Sequence, residues 1–356
     1  MRPLATVLLA LGSLAAPGIA ATPGAQLLTP LAPLEYRRTP DQTFLTFPEW
    51  FLVHSPAEYA AYLTTGEAPS RFPLFSHIAQ FWTGYRAVTH EIERFPFNGG
   101  YHLMVNVIGI STTVEYGLKG FYEHTAGRLA EATRTGNEPV PEELFAAAYA
   151  SSYVDFIRID PWYLYDFTAQ LQTLWSQGMP QGMPHGGPNL IRRWERRFAL
   201  TSELLAKIAY GRLIKLGTQG IYDAPKPVTA VVLSAEPAAD PAAHPDYVRL
   251  PSQQAVLATL PRYEAFTAYS RWLAGQGIDF REIAGNGDEI VVSLLVPETW
   301  QAAGETQART LFVQAVLTRP GTRRVVLAVP VNRLSALLRK VEAERGPAAI
   351  EHVYDF

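Results

Sequence analysis

The stretch Arg94–Arg128 constrains the fold most, because it predicts one long helix after a turn at Asn98-Gly99-Gly100. Along a helix that turns about 100° per residue, the small and polar residues of this stretch fall on one narrow stripe. Small side chains let a second backbone approach closely, so the stripe predicts a tight helix–helix seam with a polar group at either end. The stripe consists of His102, Asn106, Gly109, Thr113, Gly117, Gly120 and His124.

A second helix is predicted over Pro73–Arg94, and only Phe95–Asn98 separates it from the long helix over Gly99–Thr133. Two helices with so short a connection fold back on each other as an antiparallel hairpin. The first helix carries its own stripe of small and polar residues, which we expect to face the seam of the long helix. This second stripe consists of His77, Gln80, Gly84, Ala87 and Glu91.

The end of this hairpin is the sharpest candidate for a site, because His90, Glu91 and His102 fall within about one turn of it. Imidazole and carboxylate groups together hold divalent metal ions, or serve as a general base and the group that orients it. His77 and Asn106 are the expected supporting residues, and the cofactor, including any metal, stays open. The alternative interpretation is structural: these groups cap helix ends and pair inside a packed bundle, as buried polar groups usually do. The Glu-x-x-His and His-Glu-x-x-His patterns of helix-borne metal sites do not occur.

Composition limits the function classes. A chain of 356 residues is long for one hydrophobic core and suggests two domains. The formal net charge of −3 gives no electrostatic support for nucleic-acid binding. The chain has no cysteine, which excludes disulfides, thiolate metal sites and a cysteine nucleophile.

The first residues, 1–21, have the layout of a secretory signal peptide. Arg2 precedes the apolar run Leu4–Ala16, and small residues near Ala20 offer a cleavage point. We therefore expect an exported protein, either periplasmic or attached to the inner membrane. An uncleaved anchor and a buried N-terminal helix are the alternatives. Residues 22–43 are expected to form an extended arm.

The remaining chain predicts an α+β protein in two parts. Residues 44–222 form an all-α helical domain, with one helix beginning at a capping box over Ser55–Glu58. Residues 223–227 are a linker candidate, and residues 228–356 form the second domain. There the predicted order β-α-β-β-β-β-α-β, with its first helix over Ser252–Gly275, resembles a ferredoxin-like α+β sandwich with an added hairpin.

Two helices bear on membrane association. Residues Leu103–Val114 are uncharged, but twelve residues are too few to span hydrocarbon, so a buried helix is favoured and bilayer insertion of residues 99–120 stays open. The helix over Asn189–Gly217 is basic and amphipathic, which is typical of a helix that lies on an anionic lipid surface. Its expected membrane or partner contacts are Arg192, Arg193, Trp194, Arg196 and Arg197. The alternative is that these arginines pair with carboxylates such as Glu142 and Glu143.

These observations favour an exported or membrane-associated protein without enzymatic activity. Its helical domain is expected to bind a lipid surface, an apolar ligand or a protein partner. The alternative function is an enzyme with a His/Glu site, with or without a metal, at the end of the helical hairpin 73–133.

Overall fold

A computed structural model describes residues 30–176, 188–218, 227–238, 244–301, 307–344, 346 and 348–356. Within the chain, Leu31–Phe356 cluster as one compact unit. The predicted signal peptide, residues 22–29 of the predicted arm and residues 223–226 of the predicted linker lie outside the described residues. The division into domains at that linker therefore stays a prediction.

The N-terminal part is helical, as predicted. A π-helical turn, Glu123–Gly127, continues the long helix of the predicted hairpin into the short helix that follows it. Among the described residues, no helix combines the length and the apolar run needed to cross a bilayer. The α-helices are α1 (Gln42–Thr64), α2 (Leu74–Glu91), α3 (Gly99–Tyr122), α4 (Arg128–Ala132), α5 (Pro141–Ile157), α6 (Phe167–Ser176) and α7 (Leu190–Thr218).

The predicted helix start at Ser55 is wrong. Helix α1 begins at Gln42 and runs through Pro48 and Pro56, so Ser55 lies within it. A proline inside a helix removes one backbone hydrogen bond. Proline is also common at the first position of a helix, where no such bond is made, so Pro56 after Ser55 resembles a helix start. Here the helix continues because it is buried on several sides, and Ser55 itself is almost fully buried.

The predicted seam on α3 is present. A Cβ atom built on Gly109 would clash with the Phe81 ring of α2, and the Trp82 Nε1–H donates to Thr113 Oγ1 at 2.9 Å. Gly117 is the exception, with no atom within 4 Å of the equivalent position. Gln80 and Glu91 of the α2 stripe, in contrast, contact the sheet rather than α3: the Gln80 amide donates to the Ala315 carbonyl at 2.7 Å, and Glu91 pairs with Arg309.

The C-terminal part contains eight described strands in two antiparallel sheets, ordered β2-β3-β1-β4 and β6-β7-β5-β8. This mixture of helix and sheet, with the helices first, agrees with the predicted α+β class. The prediction placed all the strands in one sandwich, and the structure has two sheets. The predicted helix over Ser252–Gly275 is wrong in its first half, which forms β3. The elements are β1 (Val228–Leu233), β2 (Val248–Leu250), β3 (Val256–Pro261), α8 (Glu264–Gly275), β4 (Phe280–Ile283), β5 (Glu289–Pro297), β6 (Arg309–Ala315), β7 (Thr322–Pro330), α9 (Leu334–Ala343) and β8 (Ala349–Val353).

The two sheets are a tandem structural repeat. Each has three strands, a helix and a fourth strand in chain order, and each has the same spatial order. The register also matches, since Val228 pairs with Pro261 in the first sheet and Glu289 pairs with Pro330 in the second. Each first strand bears an irregularity at its fifth residue, after Val232 and after Ser293. The C-terminal part therefore consists of two copies of one β-β-β-α-β unit.

The two units share one apolar core, formed by strand residues of both sheets with α8 and α9. The second sheet presents a further apolar face to the helical part, where Val291, Val326 and Ala328 pack against α1 and α2. Helix α1 is thus enclosed between the sheet and the other helices. Polar groups on α1 are buried at this junction, and they define the candidate site.

Candidate functional site

The predicted hairpin-end site is divided among separate partners. His90 is exposed and its Nδ1 lies 3.3 Å from Glu93 Oε1. Glu91 pairs with Arg309 of β6 at 2.7 Å. Within the described part of the chain, His90, Glu91 and His102 make no hydrogen bond or ion pair with one another.

His102 is buried in an aromatic environment. Its Nδ1 and the Tyr85 hydroxyl are 2.8 Å apart, and the Asn106 amide donates to the same hydroxyl at 2.9 Å. The Phe97 ring stacks on the imidazole at 4.8 Å between centroids. Burial lowers the pKa of His102, so the imidazole is neutral at pH 7. Of the two predicted supporting residues, His77 and Asn106, it is Asn106 that contacts His102 through the Tyr85 hydroxyl.

His77, the other predicted supporting residue, belongs to a buried chain of polar groups across α1. Its Nδ1 lies 2.9 Å from Ser55 Oγ, which in turn lies 2.9 Å from the Tyr116 hydroxyl of α3. Its Nε2 makes no hydrogen bond and lies 3.8 Å from Glu58 Oε2, which also has none. His77 thus joins the helical core to a charged centre on the sheet side of α1.

This charged centre is organised by Arg324 of β7, which is almost fully buried. Its guanidinium donates to both carboxylate oxygens of Glu351 at 2.6 and 2.7 Å, and to Glu58 Oε1 at 2.9 Å. His54 lies beside the centre, with Nδ1 3.7 Å from Glu351 Oε1 and Nε2 3.4 Å from the Tyr354 hydroxyl. A bidentate pair of this kind fixes the position of both side chains. We call Glu58, Arg324 and Glu351 the Arg324 centre.

The two carboxylates of the Arg324 centre have pKa values shifted in opposite directions. Burial alone would raise the pKa of Glu351, but the Arg324 guanidinium lowers it to about 2. For Glu58 burial dominates and raises the pKa, although Arg324 opposes it. Burial lowers the pKa values of His54 and His77 to about 4, so both imidazoles are neutral at pH 7. With Glu58 ionised, the centre carries one net negative charge.

A cavity of about 320 Å³ opens beside this centre, between α1 and the second sheet. Trp50, His54 and Glu58 line it on one face of α1, and small residues of α1 leave the space. Three more charged side chains line it: Arg158 after α5, Glu264 at the start of α8 and Arg319 between β6 and β7. Among the described residues, no three His, Asp or Glu side chains form a group able to hold a metal ion.

The arginines of α7 that were predicted to contact a membrane or partner point inward. Arg196 donates to both oxygens of the buried Glu123 at 2.7 and 3.0 Å. Arg192 pairs with Glu143 at 2.8 Å, and both Arg193 and Arg197 pair with Glu142. Trp194 remains about half exposed.

The outer face of α7 is apolar instead, and it adjoins an apolar face of α3. The two helices run antiparallel, because Ser111 contacts Tyr210 while Lys119 pairs with Glu203. Each presents a stripe of exposed apolar side chains at helical spacing. We call these stripes together the α3/α7 apolar face: Leu103, Val107, Ile110, Val114, Leu118 and Phe121 on α3, and Ile191, Trp194, Phe198, Leu205 and Leu213 on α7.

Sequence reasoning missed both the Arg324 centre and the apolar face. Trp50, His54 and Glu58 recur at every fourth position, which places them on one helix face. That signal was hidden by the assumed helix start at Ser55. The apolar stripe on α3 was visible as the uncharged run Leu103–Val114, but its exposure depends on which neighbours α3 has.

Comparison of the chain with known protein families, with curated proteins and with solved structures gives no match.

Proposed function

We propose that this protein binds a lipid surface through the α3/α7 apolar face, with both helices lying in the plane of the membrane interface. The observation that supports this proposal is the pair of adjacent exposed stripes on α3 and α7. Large exposed apolar patches mark interaction sites, because apolar surface gains about 25 cal/mol per Å² when it leaves water. The sequence-based expectation of an exported, periplasmic or inner-membrane-attached protein is part of this proposal.

The dimensions and chemistry of the face favour lipid over an apolar ligand or a protein partner. From Leu103 to Phe121 the stripe on α3 runs about 27 Å at 1.5 Å per residue, far longer than a small ligand. Protein interfaces carry about one hydrogen bond per 100–200 Å², whereas the residues of these stripes are almost all hydrocarbon. Arg128 and Arg212 are exposed near the ends of the stripes, where they would meet anionic headgroups.

Cosedimentation with vesicles tests the proposal. The full chain is expected to pellet with phosphatidylcholine vesicles, and more strongly when phosphatidylglycerol is present. The double variant Ile110→Glu/Leu118→Glu and the single variant Leu205→Glu are expected to stay in the supernatant, because a charge in the acyl region costs about 2–3 kcal/mol. Leu34→Glu is the matched control, since Leu34 is highly exposed but lies outside this face.

Two results would contradict the proposal. One is unchanged cosedimentation of the charged variants while circular dichroism reports an intact fold. The other is a concentration-dependent dimer that the same variants abolish, with no binding to vesicles, which would identify a second copy of the chain as the occupant.

The alternative function, an enzyme with a His/Glu site at the end of the hairpin, has weaker support. Glu91 and His102 have separate partners, so the groups that would have to act together are engaged elsewhere. Replacing His102 with Gln is therefore expected to change stability alone.

For the fold itself, we propose that the ferredoxin-like description applies to each sheet separately. Such a unit has the order β-α-β-β-α-β. In each copy of the repeat the second helix, α8 or α9, occupies the expected place between the third and fourth strands. The described residues of the connections between the first and second strands, 234–238, 244–247, 298–301 and 307–308, contain no helix. A high-resolution experimental structure of both connections tests the proposal.

A further inference from the structure

A second cavity, of about 70 Å³, lies in the helical part among α1, α3, α5 and α7. Four charged side chains line it, Glu115 and Lys119 from α3 and Glu203 and Lys207 from α7. Of the described lining residues, only Glu115 is exposed, so the cavity approaches solvent at that residue.

The charged side chains of this cavity adjoin the α3/α7 apolar face. Lys119 pairs with Glu203 across the two helices at 2.9 Å, and Lys207 pairs with Glu115 at 3.3 Å. Glu115 and Lys119 each directly follow a residue of the exposed apolar stripe on α3. An amphiphile whose chain lies on the apolar face can therefore reach the cavity with its polar end.

The inner charges of the cavity leave one net positive charge. The ammonium groups of Lys119 and Lys207 are mostly buried and share one mostly buried carboxylate, that of Glu203. Burial opposes ionisation of both lysines, yet neighbouring carboxylates raise their pKa values above the usual range. Burial would raise the pKa of Glu203, but the two ammonium groups lower it to about 2. All three groups are therefore charged at pH 7, and one positive charge is left for a further anion.

Glu115 is a weak partner for that charge. Its side chain is about half exposed, and its Oε1 lies 3.3 Å from Lys207 Nζ. Charge-assisted hydrogen bonds are typically about 2.7–2.9 Å long, and exposed ion pairs contribute little free energy. A ligand carboxylate can therefore replace Glu115 on Lys207 at low cost, while Glu115 turns to solvent.

Tyr149 of α5 offers a second donor to the same cavity. It lines the cavity and is almost fully buried, and its hydroxyl makes no hydrogen bond with a described residue. A buried hydroxyl without a partner is costly, and such groups in native structures usually have one. Lys207 Nζ lies 6.0 Å from the centre of the Tyr149 ring, so the two donors are neighbours.

We propose that this cavity binds the carboxylate of a fatty acid whose acyl chain lies along the α3/α7 apolar face. The carboxylate would accept from the Lys207 ammonium and the Tyr149 hydroxyl. A cavity of about 70 Å³ has the volume of roughly two waters, at about 30 Å³ each, which suits a carboxylate and is too small for a glycerophosphate headgroup. The acyl part of this inference rests on the proposed affinity of the apolar face for lipid.

Calorimetric titration of the full chain at pH 7, without vesicles, tests the proposal. Decanoate is expected to bind at least about tenfold more tightly than decan-1-ol, which has the same chain without the charge. Acetate, which has the carboxylate without the chain, is expected to show no binding at concentrations at which decanoate saturates the protein.

Three variants locate the carboxylate. Tyr149→Phe and Lys207→Gln are each expected to weaken decanoate binding about tenfold and to leave decan-1-ol binding unchanged. Glu115→Gln is expected to tighten decanoate binding about threefold or more, because it removes the competing carboxylate. Tyr247→Phe is the matched control, since Tyr247 precedes β2 in the first sheet, and it should leave affinity unchanged. Tyr149→Phe removes only an unpartnered hydroxyl, so the test holds if Lys207→Gln fails to fold.

The inference is overturned if decan-1-ol binds as tightly as decanoate, if acetate binds as tightly, or if Tyr149→Phe leaves the affinity for decanoate unchanged. Cosedimentation with vesicles is a separate result. A chain that pellets with vesicles and does not bind decanoate contradicts this inference alone. A chain that binds decanoate and does not pellet supports this inference and contradicts the proposed binding of a lipid surface.

Discussion

Helices α7 and α9 both cover a core, yet they orient their charges in opposite ways. In α9 the apolar residues Leu334, Leu338 and Val341 point inward, as in an ordinary amphipathic helix. In α7 the arginines point inward to carboxylates of α5 and the π-helical turn, while Phe198 and Leu205 point outward. Helix α9 is thus held by apolar packing, whereas α7 buries ion pairs and exposes hydrocarbon.

The orientation of the charges on α7 indicates where a functional surface lies. An inward arginine cluster is tolerated because each guanidinium has carboxylate partners. An outward apolar stripe has no such compensation in water, so a helix of this kind is best explained by contact with something other than water. The sequence instead predicted that the arginines of α7 point outward and make the membrane or partner contact.

The largest expected effect comes from breaking an inward pair of α7. Replacing Arg196 with Met leaves Glu123 buried without its guanidinium partner, which is expected to lower the free energy of unfolding by about 3–5 kcal/mol. Arg271→Met is the control on α8, where the pair with Glu342 is half exposed, and its cost is expected to stay below about 1 kcal/mol. Urea unfolding measures both variants. If Arg196→Met lowers the free energy of unfolding no more than Arg271→Met does, the inward arginines do not stabilise the helical part.

The next effect is a loss of stability at acid pH from the junction between helices and sheet. His54 and His77 have folded pKa values of about 4, below the unfolded value of 6.5. A depressed histidine pKa means that stability is full above about pH 6.5 and is lost as pH falls towards 4. Each histidine is expected to account for at most about 3 kcal/mol. Protonation of Glu58, whose pKa burial raises, offsets part of this loss.

Urea unfolding between pH 7 and pH 4 measures this dependence. The urea concentration at the midpoint of unfolding is expected to decrease as the pH is lowered from 7 to 4. Replacing His54 with Gln should make the fall smaller, because that side chain no longer takes up a proton. A stability that is constant across the window would contradict the burial of neutral histidines at the junction.

The smallest effect concerns the seam on the inner side of α3. Gly109→Ala is expected to destabilise by about 1–3 kcal/mol, because the new Cβ would meet the rings of Phe81 and Trp82. Gly117→Ala is the matched substitution two stripe positions away, where nothing lies within 4 Å. It should stabilise α3 by about 0.5–1 kcal/mol, since alanine is the better helix former. Thermal unfolding of the two variants compares them directly, and shifts of the same sign would refute the asymmetry.

Local signals in the sequence predicted much of the fold. Pro141 followed by acidic residues located α5, and the β-branched run at Val228 located β1, because such signals act within a few residues. Prediction failed where tertiary packing overrides them, as at Pro56 inside α1. The tandem repeat was not evident because the two units share strand pairing and the prolines that end β3 and β7, rather than an obvious sequence pattern.

The site was harder to predict than the fold. The Arg324 centre joins β7 and β8 to α1, and Glu58 of α1 lies 266 residues from Arg324 in the chain, so no local spacing indicates it. Helix α7 contains both a basic and an apolar set of residues. Which set faces the core depended on the carboxylates of α5 and on Glu123, and only the packed arrangement decides that.

Entry of the α3/α7 apolar face into the lipid interface can be measured with a fluorescent probe on that face. The chain has no cysteine, so Ser202→Cys gives a single labelling position between Phe198 and Leu205 on the outer side of α7. An environment-sensitive nitrobenzoxadiazole label there is expected to shift to shorter wavelength on anionic vesicles and to be quenched by lipids with spin labels in the acyl chain. The same label at Leu34→Cys should show neither change. An unshifted, unquenched probe at position 202 on protein that cosediments with the vesicles would contradict the account.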